Sequence, residues 1–554
     1  MGPGDVALTA LDDLRTAPAP SRAGAAGSRV RPPSGAAFAV VPVVFVGLFF
    51  AWPLVTVLVR GLSPGGLDVL ASSLTWRVLE FTTVQAVLST GLTLLVGMPA
   101  AYVTSRLSFP GRRSVVALLT VPFVLPTVVV GTAFRALLPE SWSGTLGAIL
   151  LAHVFFNLAV VVRVVGGTWR HLDDRYEQAA RSLGAAPWTA FRTVTWPLLR
   201  PAVLAASALV FLFTFTSFGV VLVLGGPTTT TLEVEIYRRT VALFDLAGAA
   251  TLCLVQVVAV LLVLLVAGRL QRRLAVTQRL ARADVSPHRP TSRGDRALLA
   301  LVVAVSVLVM LPLLALVRRS LRVGDGWGLD WWAALGREGT TTRDVAAWES
   351  VRVSLEYAAA AVVIAVVVGG LAACAIAYVR RGHDVLDSAL TLPLGTSAVT
   401  VGFGLLITFS RAPFDLRGSW IIVPIGQALV AIPLVVRTVL PVLRSLDPRL
   451  REVAATLGAS PARSWRTIDL PVLSRALGVG AGFAAAVSLG EFGATSFLAR
   501  TTSPTLPVAI GRLMERPGEA NVGQAAALSV VLVVVTAAAV LVTERLRAPG
   551  TGSL

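Results

Sequence analysis

Apolar runs, each about as long as a membrane is thick, restrict this chain more than any other feature it has. A helix crossing about 30 Å of hydrocarbon needs about 20 mostly apolar residues, and lipid offers no water to satisfy stray backbone groups. Charge-poor runs of that kind lie near 36–59, 81–103, 114–134, 146–162, 202–224, 247–267, 297–317, 354–379, 388–409, 420–436, 476–498 and 522–542. The expected fold is therefore an all-α membrane protein of about twelve transmembrane helices. The runs at 146–162 and 420–436 are the shortest, and the charge pattern requires both. Only 14% of the residues are charged, against about a quarter in soluble proteins.

The charges that remain set the orientation. All 48 basic residues are Arg, giving a formal net charge of +18. Threading twelve spans puts five Arg-bearing segments on one side. These are the loop 104–113 (Arg106, Arg112, Arg113), the loop starting at Arg163, the segment 269–296, the pair Arg380–Arg381 and the loop starting at Arg437. Arg-rich short loops stay in the cytoplasm, so both termini are expected there. The same distribution makes the basic balance a matter of topology and predicts no nucleic-acid partner. Residues 1–35 lack the apolar stretch of a cleaved signal and read as a disordered cytoplasmic tail, and 548–554 read as a C-terminal tail.

The chain is also a duplication. Shifted by 274 residues, Glu452–Pro471 ("EVAATLGASPARSWRTIDLP") falls on Gln178–Pro197 ("QAARSLGAAPWTAFRTVTWP"), with eight of twenty positions identical. Arg163 pairs with Arg437 and Phe218-Gly219 with Phe492-Gly493. At a slightly different offset, Tyr102 pairs with Tyr378 and Gly131 with Gly402. Each half has six spans, residues 36–268 and 297–547, joined by a basic cytoplasmic linker at 269–296 that carries eight Arg against two Asp. An even number of spans per half predicts a pseudo-twofold axis along the membrane normal, with a pathway at the interface between halves.

Locally, each repeated stretch reads as helix, bend and second short helix. Gly458 is placed to end the first helix in the left-handed conformation. Ser460-Pro461 restarts a helix as N-cap and first helical residue, and Pro471 marks entry to the next span. Gly184, Ala186-Pro187 and Pro197 repeat the design, with Ala186 a poorer cap. The residues Glu452-Val453-Ala454, Gly458, Ile468 and Leu470-Pro471, and their counterparts Gln178-Ala179-Ala180, Gly184, Val194 and Trp196-Pro197, resemble the EAA loop of permease subunits in binding-protein-dependent ABC importers. The resemblance extends over about 36–547 and implies the fused, two-half form of the type I permease fold in a bacterial cell membrane. It assigns both loops, at about 163–200 and 437–475, to docking on two copies of a cytoplasmic ABC ATPase subunit. It also implies an extracytoplasmic solute-binding protein as partner. Gln178 and Val453 depart from the usual Glu and Ala, which predicts slightly different contacts at the two loops.

The absence of Lys excludes a P-loop, whose Lys holds the phosphates. ATP is then used by the partner subunit, and no cofactor is expected on this chain. The scattered His and the isolated Cys253 and Cys374 give no metal centre, and no nucleophile–base set suggests an enzyme. Fused chains of this type resemble the thiamine and ferric-iron importer branch. "AHVFFN" at 152–157 and "FTSFGVVLVLGGPTTTTLEVEIY" at 215–237 lean toward thiamine, and "SLGEFGA" at 488–494 fits both. Asn157, Ser217 and Glu491 are candidates for the translocation path, since an intramembrane acid usually faces a cavity or a partner; packing or backbone hydrogen bonding is the alternative reading of each. An ion-driven secondary transporter, which would carry paired intramembrane acids or broken helices, and a channel or scaffold are the competing classes.

Overall fold

The computed structural model describes residues 35–274, 287–337, 347–379, 383–391, 396–410 and 415–546. The expected tails, the centre of the linker and the Arg380–Arg381 pair lie outside them. Among the described residues the chain is built of helices joined by turns and loops, with one hairpin, Arg322–Val323 paired with Gly326–Trp327. Ten helices among the described residues are long and apolar enough to cross a membrane. In the first half they are α1 (Ala37–Gly61), α2 (Ser73–Arg106), α4 (Leu146–Arg170), α5 (Pro187–Phe215) and α6 (Leu246–Arg273). In the second they are α7 (Arg293–Leu321), α8 (Glu349–Tyr378), α10 (Ile422–Ser445), α11 (Pro461–Gly490) and α12 (Glu519–Thr543).

The two remaining runs are not straight crossings. The run at 114–134 is a broken element, α3, whose parts Arg112–Val124 and Thr127–Leu137 meet at 109°. Pro122 and Pro126 lie at the break, where a ring without an N–H cannot continue the helical ladder. The run at 388–409 is likewise divided, into His383–Thr391 and the short apolar α9 (Ala398–Thr408). The two shortest apolar runs belong instead to full-length helices. α4 and α10 have 67% and 78% of their apolar windows buried by protein, so their faces meet other helices more than lipid and tolerate His, Asn, Gln and Arg.

The runs at 202–224 and 476–498 are interrupted at equivalent points. α5 ends at Phe215, and a separate helix occupies Gly219–Leu224. α11 ends at Gly490, and Thr495–Leu498 follows. Hydropathy stays high across both breaks, which is why they read as continuous spans. The linker is also shorter than the 28 residues expected, because helix extends to Leu274 and resumes at Arg293. Its described end is pinned beside α2: the His288 N–H donates to the Arg106 carbonyl at 3.0 Å, and the Ser108 N–H donates to the His288 carbonyl at 2.8 Å.

The halves are clasped reciprocally. α1 packs against α8 and α9 of the second half as well as α6 of its own. α7 packs against α2 and α3 of the first half as well as α12 of its own. Local hydrogen bonds repeat in the same places: the Leu232 N–H donates to Thr82 Oγ1 at 3.0 Å, and the Leu506 N–H donates to Ser354 Oγ at 2.6 Å. Phe218 and Phe492, equivalent by the duplication, stack with ring centroids 5.0 Å apart. A residue that touches its own counterpart marks the pseudo-twofold axis, so the two helix breaks meet there. Gly219 and Gly493 permit this approach. A Cβ on Gly219 would lie 3.0 Å from Val128 N, and one on Gly493 would lie 3.3 Å from Val399 N.

Candidate functional site: paired loops, axial breaks and a basic cavity

Each repeated loop is a compact bend locked by backbone hydrogen bonds. In the first, the helix Arg175–Ser182 carries Gln178, Ala179 and Ala180. It ends with Ala185 N–H donating to Ala180 O at 3.1 Å and Gly184 N–H donating to Arg181 O at 3.0 Å. In the second, the helix Pro448–Thr456 carries Glu452, Val453 and Ala454. There Ala459 N–H donates to Ala454 O at 2.9 Å and Gly458 N–H donates to Ala455 O at 2.9 Å. These are the two bonds of a Schellman turn, which needs a left-handed residue, and Gly184 and Gly458 have φ of +89° and +80°. Ser460 caps the following helix by accepting from Arg463 N–H at 3.3 Å, and Ala186 offers no cap.

Pro197 and Pro471 do not open separate helices. In each copy the short second helix runs through a five-residue π-turn, Phe191–Thr195 and Trp465–Asp469, directly into the span. The widened turn lies just ahead of each Pro, where the ring would otherwise collide with an α-helical carbonyl. Loop and span are thus one continuous lever, a feature that neither loop's residue types announced.

The levers are fastened to their loops by equivalent positions with different chemistry. In the first loop Thr195 Oγ1 donates to Glu177 Oε2 at 2.8 Å. In the second, the same two positions are Asp469 and Arg451, with Arg451 Nε 3.1 Å from both carboxylate oxygens. Tyr378 OH also donates to Asp469 at 3.2 Å, and the Arg451 guanidinium lies 5.3 Å from the Tyr378 ring centroid. Hydrogen bonding to Asp469 pushes the Arg451 pKa above its ordinary value. Exposed apolar side chains crown both loops: Leu183 and Leu457 are 89% and 83% exposed, with Tyr176 and Trp188 on the first and Leu450 and Val453 on the second.

The three expected path residues lie within the bundle, and all are buried. Glu491 is in the break after α11, not inside a continuous span, and its carboxylate accepts from Ala494 N–H at 2.7 Å and Thr495 N–H at 2.9 Å. Ser217 lies in the matching break and shares a hydrogen bond with His153 Nε2 at 2.9 Å. Asn157 turns back on its own helix, donating from Nδ2 to the His153 carbonyl at 2.9 Å. Ser217 and Glu491 each precede one of the two rings stacked on the axis, Phe218 and Phe492, and Asn157 bonds the backbone of His153, whose ring meets Ser217.

His153 is a polar residue that sequence reasoning passed over. Its Nδ1 is 2.9 Å from Ser89 Oγ, so it ties α4 to α2 and to the α5 break. Glu233 is another, fully buried and held by Gln256 Nε2. Neither belongs to a metal-binding group of His, Cys, Asp or Glu among the described residues.

A cavity of about 1550 Å³ opens at the end of the bundle opposite the loops. Its lining includes Tyr237, Phe409, Phe492 and Phe497. Phe218 meets Tyr237 at 5.4 Å and Phe492 at 5.0 Å, and Tyr237 meets Phe497 at 5.6 Å between centroids. These ring contacts join the cavity lining to the pair stacked on the axis. Glu491, Ser217 and Asn157 are not among its lining residues.

Comparison with known proteins identifies the family. The family described as "Binding-protein-dependent transport system inner membrane component" matches residues 93–276. A thiamine transport system permease protein, ThiP, of Brucella abortus (strain 2308) is 29% identical over 87% of this chain and 90% of its own length. The protein of the same name from Escherichia coli (strain K12) is 28% identical over 78% of this chain and 82% of its own. A molybdenum transport system permease protein, ModB, of Mycobacterium bovis is 34% identical over 41% of this chain and 92% of its own length. A relative half as long is therefore matched almost entire within this chain.

Proposed function

Because this chain belongs to the family of inner-membrane components of binding-protein-dependent transport systems, we propose that it is the two-half permease of an ATP-driven thiamine importer. Members of the family are transport subunits, and ATPase and binding-protein partners come with membership. The finer reading is that the two loops seat two copies of a separate ATPase subunit on the cytoplasmic side, with both termini on that side. The observation that carries it is the matched pair of rigid bends at one end of the bundle, each crowned by exposed leucine and continuous with a span. A knob on a continuous helix transmits displacement, where a flexible loop would absorb it.

The cargo is read from the relatives that match nearly the whole chain, both of which are thiamine permeases by name. Uptake is expected only when permease, ATPase, cognate binding protein, thiamine and ATP are all present in proteoliposomes. A cognate binding protein that holds ferric iron and not thiamine would overturn the cargo. Thiamine accumulation that persists without ATP would overturn the class, in favour of an ion-driven carrier or a channel.

A further inference from the structure

The two levers differ in where the neighbouring tyrosine finds a carboxylate. In the second half Tyr378, at the end of α8, donates to Asp469 of its own lever at 3.2 Å, and Arg451 completes the set. Tyr102 is the equivalent residue of the first half. The position equivalent to Asp469 there is Thr195, which carries no carboxylate and turns its hydroxyl to Glu177. Tyr102 donates instead to Asp295 Oδ1 at 2.9 Å. Asp295 lies in the first turn of α7 and so belongs to the second half.

The exchanged helices begin beside these two tyrosines. α1 brings Phe38 to Tyr378, with ring centroids 6.3 Å apart, while α7 brings an acid to Tyr102. That acid is held in place. The Asp295 N–H donates to Ser292 Oγ at 2.9 Å, His288 Nε2 lies 3.8 Å from Oδ2, and the side chain is only 14% exposed. The His288 backbone bonds to Arg106 and Ser108 fix the approach of the chain. The helix dipole favours an acid in a first turn, which accounts for Asp295 on α7 but not for its seat on Tyr102. From Tyr102 a run of rings leads to the first loop. Tyr102 meets Trp169 at 5.4 Å, Trp169 stacks on Phe191 at 6.2 Å, and Phe191 stacks on Trp188 at 5.5 Å. Phe191 opens the first π-turn, and Trp188 is 71% exposed on the loop. Close-packed side chains transmit a displacement that a loose contact would absorb.

We propose that Asp295 is a positioning residue for ATP coupling at the first loop, supplying from the second half the carboxylate that the first lever lacks. The inference rests on the importer reading above. The second loop is set by a carboxylate of its own half, and the first by one carried on α7. Movement of the second half thus reaches the first loop through Asp295 and Tyr102. An intact linker is not needed for this, because residues 287–296 travel with α7.

The test reconstitutes the full permease with its ATPase subunit and cognate binding protein in proteoliposomes, and measures thiamine taken up per ATP hydrolysed. Asp295→Ala is expected to lower this ratio by about fivefold, the low end of coupling between distinct sites. Tyr102→Phe removes one oxygen and keeps the ring on Trp169, and is expected to lower the ratio equally. The double variant should be no worse than either, since residues that act through one bond are not additive. Thr195→Asp with Glu177→Arg gives the first lever the acid and base of the second, and should restore most of the ratio in the Asp295→Ala background. An acid that only stabilises the start of α7 would lower the melting temperature and leave the ratio at its wild-type value, and that result would overturn the proposal. Additive losses in the double variant, or no recovery with the transplanted pair, would do the same. Should Asp295→Ala fail to fold, the Tyr102→Phe ratio decides alone, a wild-type value overturning the proposal. If the wild type accumulates thiamine without ATP, it is the importer reading that falls.

Discussion

At the residue scale, Gly184 and Gly458 are held by conformation alone. Their φ values are positive, and a Cβ at either would meet nothing within 4 Å. Replacement by Ala is therefore expected to cost about 1–2 kcal/mol of backbone strain, and Asn should cost less because its side chain tolerates the left-handed region. Arg at either position adds bulk to the face where the ATPase is proposed to seat. The ordering Gly, Asn, Ala, Arg in coupled transport, with ATPase docking lost mainly for Arg, checks this. An order in which Ala and Arg behave alike would assign the glycines to folding only. These turns were legible because Gly, Pro and the cap lie within a few residues of one another. For Glu491 backbone bonding was one of two open readings, and its partners, the N–H groups of Ala494 and Thr495, exist only because the helix stops at Gly490. The break carbonyls of the first half are met from far along the chain, with Gln85 Nε2 donating to Thr214 O and Thr231 Oγ1 to Ser217 O. No local pattern announces bonds of that kind.

At the element scale, each lever depends on its π-turn and its fastening. Deleting Thr193 from the first π-turn or Thr467 from the second would restore an α-helical count and rotate the loop by about 100° relative to its span. Either deletion is expected to leave the complex assembled in detergent while lowering uptake per ATP hydrolysed; normal coupling would show that the widened turn only accommodates the proline. The fastening can be exchanged between halves. Asp469→Ala is expected to destabilise the second loop by about 1–3 kcal/mol, less than for a fully buried pair, since the Arg451 side chain is 28% exposed. The double change Arg451→Glu with Asp469→Thr copies the Glu177–Thr195 arrangement and should recover most of that loss, as read by melting of the purified protein. Recovery no better than Asp469→Ala alone would mean that the two loops are not interchangeable in packing. A π-turn has no residue signature, which is why Pro197 and Pro471 read only as marking entry to the next span.

At the scale of the whole molecule, the halves are sewn together by helices, not only by the linker. α1 lies on the second half and α7 on the first, an exchange that hydropathy cannot report because it orders spans along the chain and not around the bundle. Cutting the linker within 275–286, by an inserted protease site, is expected to leave both halves co-purifying with transport retained. Separation on cutting would assign the assembly to the covalent connection. The same architecture bears on what two-half fusion permits at the axis. In a symmetric dimer of identical subunits, whatever stands beside the axis faces its own copy, so a buried acid there would be repeated. Here the position opposite Glu491 is Ser217, and the two diverge within a shared backbone break. A single chain is thus freed to furnish the meeting point of its halves unevenly, with one carboxylate where a symmetric ancestor would have had to tolerate two or none.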